Sequence, residues 1–280
     1  MIRKILQDHI KNNVPESEVA VMLSGGVDSI SVAIAAQDVG KKIFAYTFNI
    51  KNSPSYDSLK AKEVSDKMGW DCFVIEVPTE NLLDDWKILV DHGCRKKTHF
   101  ECVFPFLYVY PEVKQKYVLT GWGSDGYFQP GKKAYKRYRD ISTTKKYIKF
   151  HRKDPSGTPR VTWSQFRTAY LDGDCAGLSQ HTNLVEKHNK IHVTPYLDPK
   201  VRELFWNKTW AQLNRPRQKE PVRADFPELE MFTIKNHENL HLNAGIPKIF
   251  EVLLDDPDIN FLGRKRMMDV CRDWHKRGLF

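Results

Sequence analysis

Short apolar runs alternate with amphipathic stretches along the first half of the chain. Four runs rich in Val, Ile, Phe and Tyr have the composition of buried strands, at residues 18–23 (EVAVML), 42–48 (KIFAYTF), 71–77 (DCFVIEV) and 116–122 (KYVLTGW). Helical patterns separate them at residues 29–40, 55–69 and 79–114. Gly40 and Gly69 stand where the first two helices would end. This alternation predicts an α/β fold, with a parallel sheet and helices on both faces.

The pattern changes after residue 129. A basic stretch punctuated by Pro155, Gly157 and Pro159 comes first, and helical patterns dominate from Trp163 onward. The opening residues, MIRKILQDHIKNN, predict a surface helix. We therefore predict a single domain over residues 1–280, in which an α/β core at 15–130 is followed by a basic insertion at 131–160 and by a helical C-terminal part at 161–280 that packs on the core.

Composition indicates a soluble protein without a membrane partner. Hydrophobic residues make up 41% of the chain, and the mean hydropathy is -0.54. The N-terminus lacks the apolar core of a signal peptide, and the five cysteines are scattered without a CxxC pair. These features predict a cytoplasmic protein without a disulfide framework. A local group of metal-binding residue types matches no usual zinc spacing and is interpreted as separate helix-face residues: His92, Cys94, His99 and Cys102.

The net charge of +9 indicates an anionic partner, and much of the excess lies between residues 131 and 153. Aromatic side chains interleave with the lysines and arginines of this stretch at Tyr135, Tyr138, Tyr147 and Phe150. Cations with aromatic rings suit a strand of nucleic acid, whose phosphates they pair and whose bases they stack. A lid that folds over a nucleotide and a solvated helix face are the alternatives, and all three interpretations stay open.

The junction of the first strand and first helix, SGGVDS, has the composition of an anion-binding loop. Glycines let the backbone turn tightly, and the free N–H groups at the start of the following helix attract negative charge. No lysine follows the glycines, so the loop is not a Walker A motif. Asp28 would repel a phosphate unless a cation lay between them, and Mg²⁺ prefers such mixed carboxylate and phosphate ligands. The alternative is a structural turn capped by Ser29.

SGGVDS after a buried strand resembles the PP-motif of the ATP pyrophosphatases, enzymes that split ATP to AMP and pyrophosphate. Three further stretches are similar, in the same order, to segments of the synthetase domain of asparagine synthetase and of β-lactam synthetase. LTGWGSDGYF at 119–128 is similar to the second Gly-Asp loop, TPYLDP at 194–199 to the Pro-Phe-Leu-Asp segment, and RPRQKEP at 215–221 to the Arg-x-Lys-Glu segment. The resemblance implies an adenine nucleotide α-hydrolase-like fold, with ATP and Mg²⁺ as cofactors.

The resemblance also implies a role for individual residues. Asp28 and Asp125 would bind Mg²⁺ and act in catalysis with Lys219, whose alternative is an ordinary surface lysine. Pyrophosphate would contact Ser24, Gly25, Gly26 and Ser29, and the nucleoside would contact Leu23, Phe48, Thr120 and Gly121. Core packing is a second interpretation for Leu23 and Phe48. Ligands of open parallel sheets lie beyond the carboxyl ends of the strands, so the loops after the first, second and fourth strands are expected to converge.

The chain also departs from the asparagine synthetase pattern. No glutaminase-like stretch precedes SGGVDS, so the nitrogen would come from ammonia, an amine or a separate amidotransferase subunit. Trp122 and Gly126 stand where the family's second loop carries acids, and Val193 stands where an arginine is frequent. Trp122 cannot take a proton; it would stack on a planar substrate or form a wall of the pocket. We predict an AMP-forming amide ligase that acts on a small-molecule carboxylate.

Two other classes of function stay open. One is a PP-loop enzyme that adenylates the carbonyl of a nucleobase, free or in nucleic acid, for replacement by nitrogen or sulfur. Thiolating members generally carry paired cysteines, of which this chain has no clear pair, whereas nitrogen insertion needs none. The other is a non-catalytic module that binds nucleotides or nucleic acid, and the presence of Asp28, Asp125 and Lys219 argues against it.

Overall fold

The computed structural model describes residues 1–128, 177–235 and 240–280, together with Leu171. The basic stretch at 131–160 lies outside the described residues, so its three interpretations remain predictions.

A five-stranded parallel sheet forms the centre of the described structure. Its strands are β1 (Glu18–Met22), β2 (Lys42–Ile50), β3 (Asp71–Val77), β4 (Tyr117–Leu119) and β5 (Ile191–Val193), in the order β3-β2-β1-β4-β5. All neighbouring pairs are parallel. The four predicted strands are present, and the α/β fold is confirmed. β5 was not predicted, because it has only three residues and the polar His192 interrupts its apolar signal.

Seven helices precede, connect or follow the four strands of the first half where it is described. They are α1 (Ile2–Asn13), α2 (Val27–Asp38), α3 (Tyr56–Met68), α4 (Leu82–Asp91), α5 (Lys97–Val103), α6 (Phe106–Glu112) and α7 (Ser124–Phe128). The helical pattern predicted over residues 79–114 is therefore divided into three helices. Gly93, with φ at +88°, follows α4, and Pro105 immediately precedes α6.

Apart from β5, the second half is mainly helical where it is described. Its helices are α8 (Leu178–Lys187), α9 (Pro199–Trp206), α10 (Trp210–Asn214), α11 (Glu220–Asp225), α12 (Leu240–Asn243), α13 (Ile246–Phe250) and α14 (Met267–Lys276). Short 3-10 helices lie at Pro195–Leu197, Pro227–Met231 and Glu251–Asp255. No helix in the described ranges is both long and apolar enough to cross a membrane.

Apolar side chains pack on both faces of the sheet. Successive residues of a strand point to opposite faces, so Val19 and Val21 join one core cluster while Ala20 and Met22 join the other. The first cluster includes the buried stripe of α1 and most of α2. The second contains side chains of α4, α5, α6 and the C-terminal helices. Because described side chains cover both faces of the sheet, a ligand site is expected at the carboxyl ends of the strands, as in other open parallel sheets.

Candidate active site

The loop between β1 and α2 is shaped by Gly25 and two serines. Gly25 has φ at +69°, and a Cβ placed on it would lie 2.5 Å from Lys60 Cγ, so both the backbone and the packing of α3 require glycine. The Ser24 amide donates to Ser29 Oγ at 3.1 Å, and Ser29 Oγ donates to the Gly26 carbonyl at 3.1 Å. These bonds hold the turn closed beneath the first turn of α2, whose N–H groups lack intrahelical acceptors.

Lys219 joins two carboxylates that come from different loops. Its Nζ donates to Asp28 Oδ2 and, at 2.7 Å, to Asp125 Oδ1. Ser124 Oγ donates to Asp28 Oδ1 at 2.6 Å. The structure therefore brings SGGVDS, the loop after β4 and the RPRQKEP segment to one point at the carboxyl edge of the sheet.

The Lys219 ammonium is buried, since only 3% of the side chain is exposed. Burial by itself lowers the pKa of this lysine, but the charges and hydrogen bonds of Asp125 and Asp28 outweigh burial and raise the pKa above its ordinary value. Lys219 therefore stays protonated at neutral pH. The interpretation of Lys219 as an ordinary surface lysine is wrong.

The backbone of Lys219 is held in an unusual conformation. Its φ is +61°, in the left-handed region that costs a non-glycine residue about 1–3 kcal/mol. The Lys219 amide donates to Asn214 Oδ1 at 3.3 Å, and Asn214 Nδ2 donates to the Phe128 carbonyl at 2.7 Å. Asn214 thereby ties the lysine to the end of α7, the helix that carries Asp125.

Two glycines allow the loop after β4 to approach its neighbours. A Cβ on Gly121 would lie 2.7 Å from Asp28 Cβ and 2.9 Å from the Asp28 carbonyl carbon. Gly123 has φ at +89°, and a Cβ there would lie 2.4 Å from Leu197 Cδ2. The glycines of GWGSD are therefore needed for contact with SGGVDS on one side and with TPYLDP on the other.

The buried hydroxyls of Ser31 and Tyr196 form a hydrogen-bonded pair that supports the backbone of Asp28. Ser31 Oγ donates to the Asp28 carbonyl at 2.9 Å, so the Tyr196 hydroxyl is the donor in its 2.7 Å bond to Ser31 Oγ. Burial, with Asp28 nearby, raises the pKa of Tyr196 well above its ordinary value, and the phenol stays protonated. Asp198 of the same TPYLDP segment lies elsewhere: it caps α9 and contacts His9 Nδ1 at 2.8 Å.

Leu23 directly follows β1, Phe48 lies near the carboxyl end of β2, and both side chains are buried. Both line a small cavity of about 30 Å³, room for about one water molecule, whose wall is formed by Met22, Leu23, Ser24, Tyr46, Thr47, Phe48, Phe106 and Val109. A purine needs more space, so binding there requires this wall to open. The expectation that β2 ends at Phe48 is wrong, because the strand continues to Ile50. The two interpretations of Leu23 and Phe48, core packing and nucleoside contact, are compatible with this position.

A second polar cluster lies beyond β4. Thr120 Oγ1 and Thr182 Oγ1 lie 3.0 Å from Nε2 and Nδ1 of His192, and burial lowers the pKa of His192 to about 4. The ring of Trp122 lies 4.4 Å from that of His181, centre to centre. Burial also lowers the pKa of His181 to about 3. Trp122 thus packs against a neutral, buried imidazole.

Several residues that shape this site escaped the sequence analysis. Four polar residues support Asp28, Asp125 or Lys219 but were given no role: Ser124 and Tyr196, which lie inside LTGWGSDGYF and TPYLDP, and Ser31 and Asn214, which lie outside the quoted motifs. One signal was available: Ser31 is a polar residue in the middle of the apolar run SISVAIAA. The structure does not bring His92, Cys94, His99 and Cys102 into a ligand set, since the described residues contain no group of three or more His, Cys, Asp or Glu that could hold a metal ion.

Asp28 and Asp125 nevertheless fit Mg²⁺ as a site completed by substrate. Both carboxylates already converge on one cation, the Lys219 ammonium. Mg²⁺ is usually bound by one or two carboxylates together with waters and substrate phosphates. A divalent ion bound here would therefore take its remaining ligands from phosphate oxygens and water.

A family model described as asparagine synthase matches residues 1–224. The chain belongs to the asparagine synthase family. The resemblance found in the motifs is thereby confirmed, and membership in this family of PP-loop ATP pyrophosphatases supports an ATP-using enzyme. A search of curated proteins found no match.

Solved structures also align with the chain. The NAD synthetase of Campylobacter jejuni is 14% identical, with 85% of this chain and 96% of the other covered and a TM-score of 0.34. The NMN synthetase of Francisella tularensis is 16% identical, with 69% and 95% covered and a TM-score of 0.35. A U34-tRNA thiolase of Methanococcus maripaludis is 16% identical, with 87% and 85% covered and a TM-score of 0.29. Nothing about the chemistry of this chain follows from similarity at this level.

Proposed function

We propose that this protein is an ATP-dependent amide ligase that forms AMP and pyrophosphate. The supporting observation is the buried Lys219 ammonium that joins Asp28 and Asp125 beside the SGGVDS loop. This group of charges suits a reaction in which negative charge must be neutralised on a nucleotide before bonds change.

The reaction would proceed in two steps. A carboxylate oxygen of the substrate attacks the α-phosphorus of ATP, the bond to the bridging oxygen breaks, and pyrophosphate leaves with the bonding electrons. Ammonia or an amine then attacks the acyl carbon, AMP leaves, and the nitrogen loses a proton. Mg²⁺, when bound by Asp28 and Asp125, would neutralise phosphate charge.

The residues of the chain would act mainly by position and charge. Backbone N–H groups and hydroxyls of Ser24, Gly25, Gly26 and Ser29 would bind the pyrophosphate portion, as the turn and the start of α2 suit an anion. Lys219 is held protonated and would stabilise charge that develops on the leaving pyrophosphate. Leu23, Phe48, Thr120 and Gly121 would contact the nucleoside. The proposal includes a cytoplasmic enzyme whose nitrogen comes from ammonia, an amine or a separate amidotransferase subunit.

A second candidate keeps this ATP chemistry but changes the acceptor to a nucleobase carbonyl, free or in nucleic acid. The excess of positive charge at 131–153 and the tryptophan in place of an acidic residue at position 122 favour it. Trp122 offers an aromatic surface next to Gly121, where a planar acceptor could stack. The two candidates differ only in the compound that receives AMP.

Exchange of labelled pyrophosphate into ATP tests both candidates. The full-length protein is incubated with Mg²⁺ and a panel of carboxylates, nucleosides and RNA, and the nucleotide product is identified. Exchange that depends on a carboxylate supports the ligase, and exchange that depends on RNA or a nucleoside supports the second candidate. Formation of ADP and phosphate instead of AMP and pyrophosphate would contradict both.

A further inference from the structure

Lys60 packs its side chain directly against the SGGVDS loop. It lies in the second turn of α3, is only 8% exposed, and places Cβ and Cγ next to Gly25. A Cβ on Gly25 would lie 2.6 and 2.5 Å from these two atoms. The stem of Lys60 is therefore part of the wall on which the anion-binding loop is built.

The carboxylate that pairs with the Lys60 ammonium, Glu63, is also paired with a second lysine. Lys60 Nζ donates to Glu63 Oε2, while Lys67 Nζ donates to the other oxygen, Glu63 Oε1, at 3.1 Å. Glu63 is 39% exposed and thus also reaches water. An apolar side chain would fill the space beside Gly25 without the desolvation that a buried ammonium incurs. Lys60 Nζ also lies 5.9 Å from the centre of the Tyr56 ring, near the outer limit of a cation–π contact. Packing against Gly25, pairing with Glu63 and this distant ring contact do not account for a buried charge at position 60.

We propose that Lys60 is a phosphate-positioning residue whose ammonium turns from Glu63 to the β- and γ-phosphate oxygens held by SGGVDS. This inference rests on the proposed function, because it assumes that the loop binds the phosphates of ATP. Lys219 meets the loop at Asp28, whereas Lys60 meets it at Gly25, so the two lysines would act on different parts of the triphosphate. A lysine suits this role because its flexible stem carries a compact charge that pairs well with phosphate.

Lys60→Met and Lys67→Met form a matched pair for the test. Methionine keeps an unbranched stem beside Gly25 and removes only the charge at position 60. Lys67 is 47% exposed, lies on the same helix and contacts the same glutamate, so its replacement removes the same charge from the same partner, away from Gly25. Calorimetric titration of Mg²⁺-pyrophosphate, Mg²⁺-ATP and AMP into each protein measures the effect.

We expect K60M to weaken binding of pyrophosphate and ATP by about 10- to 100-fold, the usual size of one hydrogen bond to a charged group. AMP, which lacks the β- and γ-phosphates, should bind within about twofold of wild type in every variant. K67M should leave all three affinities unchanged. In pyrophosphate exchange, K60M should raise KM for ATP more than it lowers kcat, and K60R should recover part of the loss.

Three results would overturn the role of Lys60: equal pyrophosphate affinity in wild type and K60M, an equal loss in K67M, or a loss of AMP affinity as large as that of pyrophosphate. Should K60M fail to fold, Glu63→Gln gives an independent test. It removes the competing carboxylate, so pyrophosphate should bind at least as tightly as in wild type, and weaker binding contradicts the inference. Wild-type protein that binds neither ATP nor pyrophosphate refutes the proposed function as well, whereas binding unaffected by K60M refutes only the inference.

Discussion

Two polar clusters lie on either side of the loop that follows β4, and burial has opposite outcomes in them. In the carboxylate cluster, defined as Asp28, Asp125 and Lys219, the buried basic group keeps its proton because two carboxylates contact it. The histidine cluster consists of His181 and His192 with the hydroxyls that contact their rings, those of Tyr110, Thr120 and Thr182. There, burial lowers both pKa values and the imidazoles stay neutral. Desolvation acts on both clusters, and only the neighbouring charges differ.

The difference in charge state suits the two clusters to different roles. The carboxylate cluster holds charge at the loop where phosphates would bind, and it can do so in a buried place because its charges compensate one another. The histidine cluster places a neutral, buried imidazole against Trp122, the side chain on which the second candidate function would stack its acceptor. The comparison therefore predicts that changes in the first cluster affect catalysis most, whereas changes in the second affect mainly the pH dependence of stability.

The largest effect is expected from loss of charge in the carboxylate cluster. Asp28→Asn and Lys219→Met should each lower pyrophosphate exchange by about 10²–10³-fold, because preorganised charge at the phosphates is removed. K219M also leaves two carboxylates facing each other without a cation and should lower the free energy of unfolding by about 3 kcal/mol.

The measurements are steady-state exchange and urea unfolding. Asp66→Asn, which changes an exposed carboxylate paired with Lys62 on α3, serves as the control and should resemble wild type. Full exchange activity in D28N would remove the role given to the carboxylate cluster.

The next effect concerns the contact between the two loops. Gly121→Ala places a methyl group 2.7 Å from Asp28 Cβ, so the loop after β4 must move away from SGGVDS. We expect exchange to fall by roughly 10- to 100-fold, since small displacements of reacting groups are costly. Gly40→Ala controls for a general loss of stability, because a φ of +82° strains an alanine there while its Cβ meets nothing within 4 Å. An equal loss of exchange in both variants would contradict this explanation.

The histidine cluster should be visible in the pH dependence of stability. A histidine whose pKa is lowered on folding stabilises the fold fully above its unfolded pKa of about 6.5, and this contribution is lost as the pH falls towards the folded value. His192, with a folded pKa of about 4, should therefore lower the free energy of unfolding by up to about 1.4 kcal/mol per pH unit between pH 6 and 4.

Urea unfolding at several pH values measures this slope. His192→Gln keeps a group that can bond to Thr120 and Thr182 but cannot titrate, and it should make the slope shallower by about one proton. An unchanged slope would mean that other groups account for the acid sensitivity.

The smallest effect is expected at Asp198, which belongs to TPYLDP but lies outside both clusters. Asp198→Ala removes the cap of α9 and the contact with His9, and should cost about 1 kcal/mol of stability. Exchange should stay within about twofold of wild type. A loss of exchange comparable to that of D28N would show that this segment takes part in the site directly.

Local features of the chain predicted much of the fold and of the site. Apolar runs and glycine positions located four of the five strands of the described sheet, and SGGVDS and GWGSD marked the loops that later proved to be neighbours. The bounds of strands and helices were predicted less accurately where the apolar pattern was short or had no visible break. β5 has three residues with His192 in the middle, and the break at Gly93 lies within a continuous helical pattern over residues 79–114.

The sequence by itself determined the class of fold and the residue types at the site, because strand periodicity and glycine-rich turns depend on neighbours close in the chain. Only the tertiary structure decided that Lys219 is buried between Asp28 and Asp125, which lie 191 and 94 residues away in sequence. It also decided which buried bases keep a proton and that Lys60 packs on Gly25. The protonation state of a buried side chain and its packing partners depend on groups that are distant in sequence and are brought together by folding. A local sequence pattern therefore cannot predict them.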